Sequence, residues 1–325
     1  MKPKVLVTRK IPARPLNLLQ EKAEVTIHRE DRAITGEEII AHLPQKIALL
    51  SMGGDPIAAK ILEAGKDLKI VANNAVGFNN IDLAAATRLK IAATNTPEVL
   101  TDTTADLTFA LILGVARRVA EADRFVRAGK WMGWKPDLLL GSDVHGKTLG
   151  IIGLGRIGTA MAQRALGFNM EILYTDVRPL DRSVEERYRA KYVSMKELLP
   201  RADFVTLHVA LTPETTHLIG REELRLMKST AFLINASRGP VVDEKALVEA
   251  LKSGMIAGAG LDVFEEEPRV TPDLIQMENV LLLPHIGSAT FETREKMALV
   301  AVNNILAILR GEIPPNILNP EIYRS

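Results

Sequence analysis

The chain has 325 residues, 47% of them hydrophobic and 25% charged, with 41 basic and 40 acidic side chains and no cysteine. That balance is typical of a globular protein, and the length exceeds what one ordinary core holds, so two domains are expected. A net charge of +1 without a basic stripe argues against a nucleic-acid partner. The lack of cysteine excludes disulfides, thiol catalysis and cysteine metal ligands. The first ten residues interleave charges with a short apolar run and do not read as a signal peptide, and no stretch reaches the roughly 18 apolar residues of a membrane helix. We therefore expect a cytoplasmic protein with no membrane partner.

Strand-like runs over 5–8, 47–52 and 70–76 alternate with helix-like periods over 16–23, 57–64 and 83–90. Alternation of this kind predicts a parallel sheet covered on both faces. Near residue 100 the texture changes. Thr103 and Asp106 have the spacing of a capping box, and one long helical pattern runs from there to a stop at Gly129. A turn-rich connection with Pro136, Gly141 and Gly146 comes next. A second alternating series then has predicted strands over 149–152, 171–175, 204–208, 231–235, 258–262 and 280–283. A last helical pattern over 291–310 ends at Gly311, with Pro314 and Pro315 beyond. The short tail after it leads us to expect no appended regulatory domain.

The strand predicted over 149–152 runs directly into Gly153-Leu154-Gly155-Arg156-Ile157-Gly158, and a helix pattern comes after. This is the glycine turn of a dinucleotide-binding site in the strand–helix context it requires. Gly153 permits the tight turn, Gly155 lets the backbone approach a pyrophosphate, and Gly158 lets helix and strand pack closely. The phosphates would meet the exposed N–H groups and positive end of the helix. The next strand ends in Asp176, close to the roughly 20-residue interval expected of the acid that accepts from the ribose hydroxyls. A carboxylate there repels a 2′-phosphate, so NAD is favoured as cofactor. Arg178 stands two residues on and partly offsets that repulsion, so NADP stays possible. Because the turn starts near residue 150, the first hundred residues form a separate α/β unit. A ligand at the strand ends would then lie in a cleft between the two units.

Three polar residues come after apolar strands in the second half: Arg238, Glu267 and His285. A histidine can supply the proton that an alkoxide needs after hydride transfer. A neighbouring carboxylate would orient that histidine, and an arginine can grip a substrate carboxylate and polarise its carbonyl. Each also has a plain reading: a solvated loop arginine, one of three surface acids, a satisfied histidine. His208 ends a strand and is the other histidine that could reach the same place. His28, His42, His145 and His217 show no ligand spacing, and no metal site is expected.

Several blocks in order make a resemblance specific. They are Ala75-Val-Gly-Phe-Asn-Asn-Ile-Asp82, residues 96–106, the glycine turn, Asn235-Ala-Ser-Arg-Gly239, residues 259–268 and Pro284-His-Ile-Gly-Ser-Ala-Thr290. Through nearly its whole length the chain resembles the D-2-hydroxyacid dehydrogenases, and within them the glyoxylate/hydroxypyruvate reductases. The resemblance implies a Rossmann dinucleotide-binding domain (99–287) inserted into a flavodoxin-like substrate domain (1–98 and 288–325), both doubly wound parallel sheets. It implies reduction of a small 2-oxo acid to the 2-hydroxy acid, with Arg238, Glu267 and His285 as the catalytic set. Met52, Gly53, Gly54, Val76, Gly77 and Ser288 would join Arg238 and His285 around the substrate. Thr104, Gly153–Gly158, Asp176, Arg178, His208, Val209, Thr215, Ala236, Ser237, Asp262 and Gly287 would surround the cofactor.

The family is generally dimeric, and Trp131 and Trp134 match a segment that in some reductases reaches the partner's site; equally, they read as ordinary interface or surface aromatics. NADPH-preferring relatives carry a basic or neutral residue in place of Asp176. Formate dehydrogenases have glutamine in place of Glu267, and phosphite dehydrogenases have lysine in place of Val76, which counts against both chemistries. A dinucleotide-sensing corepressor is the alternative from a different class.

Overall fold

A computed structural model describes residues 2–30 and 32–324. The chain divides into two compact units, Met1–Leu100 with Ser288–Ser325, and Thr101–Gly287. Among the described residues no helix is long and apolar enough to cross a membrane.

Unit one holds five strands: β1 (Lys4–Val7), β2 (Glu24–Ile27), β3 (Lys46–Met52), β4 (Ile70–Asn74) and β5 (Ala92–Thr94). All pair in parallel in the order β2-β1-β3-β4-β5. This is the flavodoxin-type order, with its switch point between β1 and β3. Alternate side chains feed two cores. Val5, Val7, Ala48, Leu50, Ile70 and Ala72 pack under the helices Ala13–Lys22 and Phe291–Leu309. Leu6, Leu49 and Val71 pack under Gly36–His42, Ala59–Ala64 and Leu83–Arg88. Burial on both faces explains why these strands are continuously apolar.

Unit two holds β6 (Thr148–Ile152), β7 (Glu171–Thr175), β8 (Ala190–Tyr192), β9 (Phe204–Leu207), β10 (Phe232–Asn235), β11 (Gly258–Leu261) and β12 (Val280–Leu282). Their parallel order is β12-β11-β10-β9-β6-β7-β8, the Rossmann order extended by one strand, with the switch point between β6 and β9. Both doubly wound sheets expected from the sequence are present.

Local expectations changed in three places. Thr103 lies inside the first turn of the helix Thr101–Ala116, so it does not cap it. The single long helix is two, broken at Arg118, which takes a left-handed conformation (φ +54°) before Val119–Arg127. The break is stabilised from a distance by Ser142 N–H, which donates to the freed Ala116 carbonyl at 2.8 Å, and locally by the Arg118 guanidinium, which holds both Glu121 oxygens at 2.7 Å. Finally, β4 stops at Asn74, two residues short, and the Asn73 side chain near its end donates to Gly77 O and Asn80 Oδ1 of the loop beyond.

Candidate active site

In unit two the predicted residues sit at the carboxyl ends of the strands. The glycine turn leaves β6. Gly153 has φ +92°, which a side chain adopts only with strain, and a Cβ there would lie 2.9 Å from the His208 carbonyl. A Cβ on Gly158 would lie 2.2 Å from Gly153 O, so helix and turn close onto one another. Over Gly155 the space is open, and it caps the helix Arg156–Gly167 without any side-chain bond. The positive end of that helix faces the turn, and the cradle fits a dinucleotide pyrophosphate. Asp176 is pinned beside the turn: Leu154 N–H donates to Oδ2 at 2.8 Å and Val177 N–H to Oδ1 at 2.7 Å. Arg178 is exposed just beyond.

His208 comes directly after β9. Its N–H donates to Ile152 O at 2.8 Å, and its Nε2 shares a 2.9 Å hydrogen bond with Thr206 Oγ1. Desolvation pushes its imidazole down to about 3, so the ring is neutral near pH 7. Val209 packs toward Gly153. Thr215 closes the next turn, donating to Ala210 O at 2.7 Å and accepting Thr212 N–H at 2.8 Å.

At the end of β10 the buried Asn235 shapes the turn through Ala236 and Ser237. Its Oδ1 accepts the Ser237 N–H and hydroxyl at 3.0 and 2.9 Å, and its Nδ2 donates to Arg238 O at 2.9 Å. Burial pushes the Arg238 guanidinium below its ordinary value, and the charge of Glu267 pulls it back up. Arg238 Nη1 donates to Ser237 O at 2.7 Å.

Asp262 comes directly after β11 and is fully buried. Its Oδ1 accepts Ile286 N–H at 2.8 Å and its Oδ2 accepts Gly287 N–H at 2.7 Å. Burial pushes this carboxyl up; those bonds and the charge of His285 only partly offset it. Thr104 adjoins the same spot, with its Cγ2 3.4 Å from a Cβ built on Gly287. Beyond β12, His285 takes a left-handed backbone (φ +55°), and its Nδ1 is 2.8 Å from Glu267 Oε2. Glu267 Oε1 accepts Phe264 N–H at 3.1 Å. Burial pushes the Glu267 carboxyl up, but its bond to His285, that N–H and the charge of Arg238 outweigh it and hold it below the usual carboxylate range. The His285 side chain is 49% exposed.

In unit one, Met52, Gly53 and Gly54 lie at and beyond the end of β3, and Val76 and Gly77 lie beyond β4. A buried amide network ties these loops together. Asn80 Nδ2 donates to Met52 O and Asp55 O at 3.1 and 3.0 Å, while Asn73 Nδ2 donates to Asn80 Oδ1 and Gly77 O at 3.1 and 3.0 Å. Asn95 Nδ2 donates to Val76 O at 2.8 Å. Asp55 Oδ2 accepts Met52 N–H at 2.7 Å. Ser288 opens the returning segment, its carbonyl accepting Thr290 N–H at 3.0 Å.

Residues 109–287 match the family model described as D-isomer specific 2-hydroxyacid dehydrogenase, NAD binding domain. The chain belongs to the D-isomer specific 2-hydroxyacid dehydrogenases. It is 52% identical, over all of its length and 98% of the relative's, to the glyoxylate reductase of Korarchaeum cryptofilum. Among solved structures, the TT0316 protein from Thermus thermophilus superposes with a TM-score of 0.91 at 45% identity, over 97% of this chain and 99% of that one. The NADPH-dependent glyoxylate/hydroxypyruvate reductase of Sinorhizobium meliloti, in complex with NADP and malonate, gives 0.87 at 34% identity, over 98% and 97%.

As a 2-hydroxyacid dehydrogenase the chain gathers Arg238, Glu267, His285, Asp262, Gly287 and Thr104 in one unit. Its Met52–Gly54 and Val76–Gly77 loops are organised within the other. Sequence reasoning passed over several residues that shape these places: Asn235, Gly239, Asn73 and Asn80. Asn235 had a legible signal, because a strand-ending asparagine two before a serine favours a side-chain turn. The two amides of unit one carried none, since their partners are separated in sequence.

Proposed function

We propose that this dehydrogenase reduces glyoxylate, or a similarly small 2-oxo acid such as hydroxypyruvate, with His285 as proton donor. The observation that carries the reading is the 2.8 Å pairing of His285 Nδ1 with Glu267, which leaves Nε2 free to face a carbonyl oxygen. The chemistry that a bound nicotinamide supplies is a hydride to the carbonyl carbon. His285 delivers its Nε2 proton to the oxygen as negative charge develops there, and Glu267 orients the ring through Nδ1. Arg238 grips the substrate carboxylate and polarises the carbonyl. Met52, Gly53, Gly54, Val76, Gly77 and Ser288 are further substrate contacts in this reading, as the resemblance implies. His208 is a poor acid for this task, being neutral near pH 7 and bonded to its own strand.

NADH is the favoured reductant in this reading, because a carboxylate at Asp176, beside the glycine turn, would repel a 2′-phosphate. The relatives named glyoxylate reductase support the substrate class, and the NADPH-dependent relative keeps the choice of dinucleotide open to assay. The protein acts as a homodimer in this reading: Val126, Trp131, Met132, Trp134 and Leu140 are exposed apolar side chains, Met132 at 88% and Trp134 at 83%, and apolar side chains of this kind suit a subunit interface. The decisive assay is a panel of 2-oxo acids with NADH and NADPH in parallel, on the native chain and on His285→Ala. The variant is expected to lose about 10²–10⁴ in kcat. Undiminished turnover would remove His285 from the mechanism. Light scattering in solution tests the dimer.

A further inference from the structure

The acidic run Glu265–Glu267 holds a second histidine–carboxylate pair that the chemistry above leaves unused. His217 Nε2 and Glu265 Oε1 are 2.6 Å apart. His217 has a left-handed backbone (φ +52°), fixed by its N–H donating to Pro240 O at 2.8 Å. The other Glu265 oxygen accepts Glu244 N–H at 3.3 Å, and Glu244 Oε1 accepts Glu265 N–H at 2.6 Å, so the two residues bond reciprocally. Glu244 is only 5% exposed, and its second oxygen takes the Thr271 hydroxyl. A carboxylate this buried persists only when its lone pairs are used, and its place at the head of the helix Glu244–Lys252 adds the favourable end of the dipole.

The object so braced is one peptide, Phe264–Glu265. On its other side lies Gly239, the residue after Arg238. A Cβ there would fall 1.8 Å from Phe264 O and 2.5 Å from Glu265 N, so the two backbones touch directly. The Phe264 N–H, at the same bend, holds Glu267 Oε1 at 3.1 Å, which turns Oε2 toward His285.

We propose that Glu265 is a positioning residue: held by Glu244 and His217, it fixes the Phe264–Glu265 peptide and thereby aims Glu267 at His285. The proposal rests on the reading of Glu267 and His285 as the proton-delivering pair. Without the brace the bend relaxes, Glu267 loses its N–H donor and the imidazole is no longer oriented.

A double-mutant cycle tests it, with glyoxylate and saturating NADH as the probe. Glu265→Ala is expected to lower kcat about tenfold or more while leaving the KM for NADH within about twofold. Placed on Glu267→Ala, the same change is expected to cost less than about twofold, because nothing remains to be aimed. Equal losses in both backgrounds, or an unchanged kcat in Glu265→Ala, overturn the proposal. If Glu265→Ala does not fold, Glu265→Gln and His217→Ala take its place. The amide still accepts the Glu244 N–H and is expected to keep kcat within about threefold, whereas His217→Ala loses activity only where Glu267 is present. A His217→Ala loss that is the same with and without Glu267 again overturns it. An undiminished kcat in Glu267→Ala itself marks failure of the underlying reading, and the proposal falls with it.

Discussion

Asp262 holds His285 from below: its backbone carbonyl accepts the His285 N–H at 2.8 Å, while its two carboxylate oxygens take the next two N–H groups, Ile286 and Gly287. One residue thus sets three consecutive peptides and the left-handed turn on which the histidine stands. Asp262→Asn exchanges one acceptor for a donor that faces an N–H. We expect a loss of about 1–3 kcal/mol in stability, the cost of an unsatisfied buried group, and a fall in kcat of about tenfold. Denaturant melts and steady-state rates measure both, and an unaltered kcat would show that the turn keeps its shape without the carboxylate.

Gly239→Ala sets a methyl group against a peptide that cannot give way, 1.8 Å from Phe264 O. The strain should cost at least the roughly 1–3 kcal/mol of an overpacked core. Either Arg238 or Glu267 must shift to relieve it, so kcat for the 2-oxo acid should fall with stability. A variant as stable and as active as the native chain would contradict the close packing.

The desolvated His208 makes stability pH-dependent. Its folded value of about 3 lies below the ordinary 6.5, so between those limits the unfolded chain binds a proton that the native one refuses. Stability attributable to this residue is therefore full above pH 6.5 and falls as the solution is acidified, by up to about 1.4 kcal/mol per pH unit. His208→Gln cannot titrate. Its unfolding free energy relative to the native chain should rise by up to about 2–3 kcal/mol between about pH 7 and about pH 4.5. A constant gap across that range would mean that the ring protonates normally in place.

Asp176→Ala removes the charge that disfavours a 2′-phosphate and also the acceptor for Leu154 N–H. The kcat/KM ratio of NADH to NADPH should drop about tenfold or more, mostly through weaker NADH binding. An unchanged ratio would assign cofactor choice to other residues, Arg178 first among them.

Much of this was legible in the chain before folding. The glycine turn, the acid at the end of β7 and the three polar residues after β10, β11 and β12 all depend on short-range patterns: apolar runs, glycine spacing and the residue types just past a strand. The short strands Glu24–Ile27, Ala92–Thr94 and Ala190–Tyr192 were missed, since three or four residues carry too little period to separate them from loop. The break at Arg118 was also hidden. No glycine or proline marks it, and besides the nearby Glu121 the groups that stabilise it come from Leu140 and Ser142, which only folding brings close. The same holds at the site. His285 could be nominated from its place after a strand, but its orientation comes from Glu267, Asp262 and Phe264, residues that its local sequence does not mention.

The contact between Thr104 and Gly287 carries a consequence for how such a chain is put together. The first turn of unit two and its last residue are neighbours, so the polypeptide enters and leaves this unit through a single doorway. A segment whose two ends meet can be spliced into a host loop without stretching either, and a short bridge would close it into a free-standing ring. His285 stands two residues inside that doorway, so the proposed proton donor is also among the last residues of the insert before the chain returns to its host.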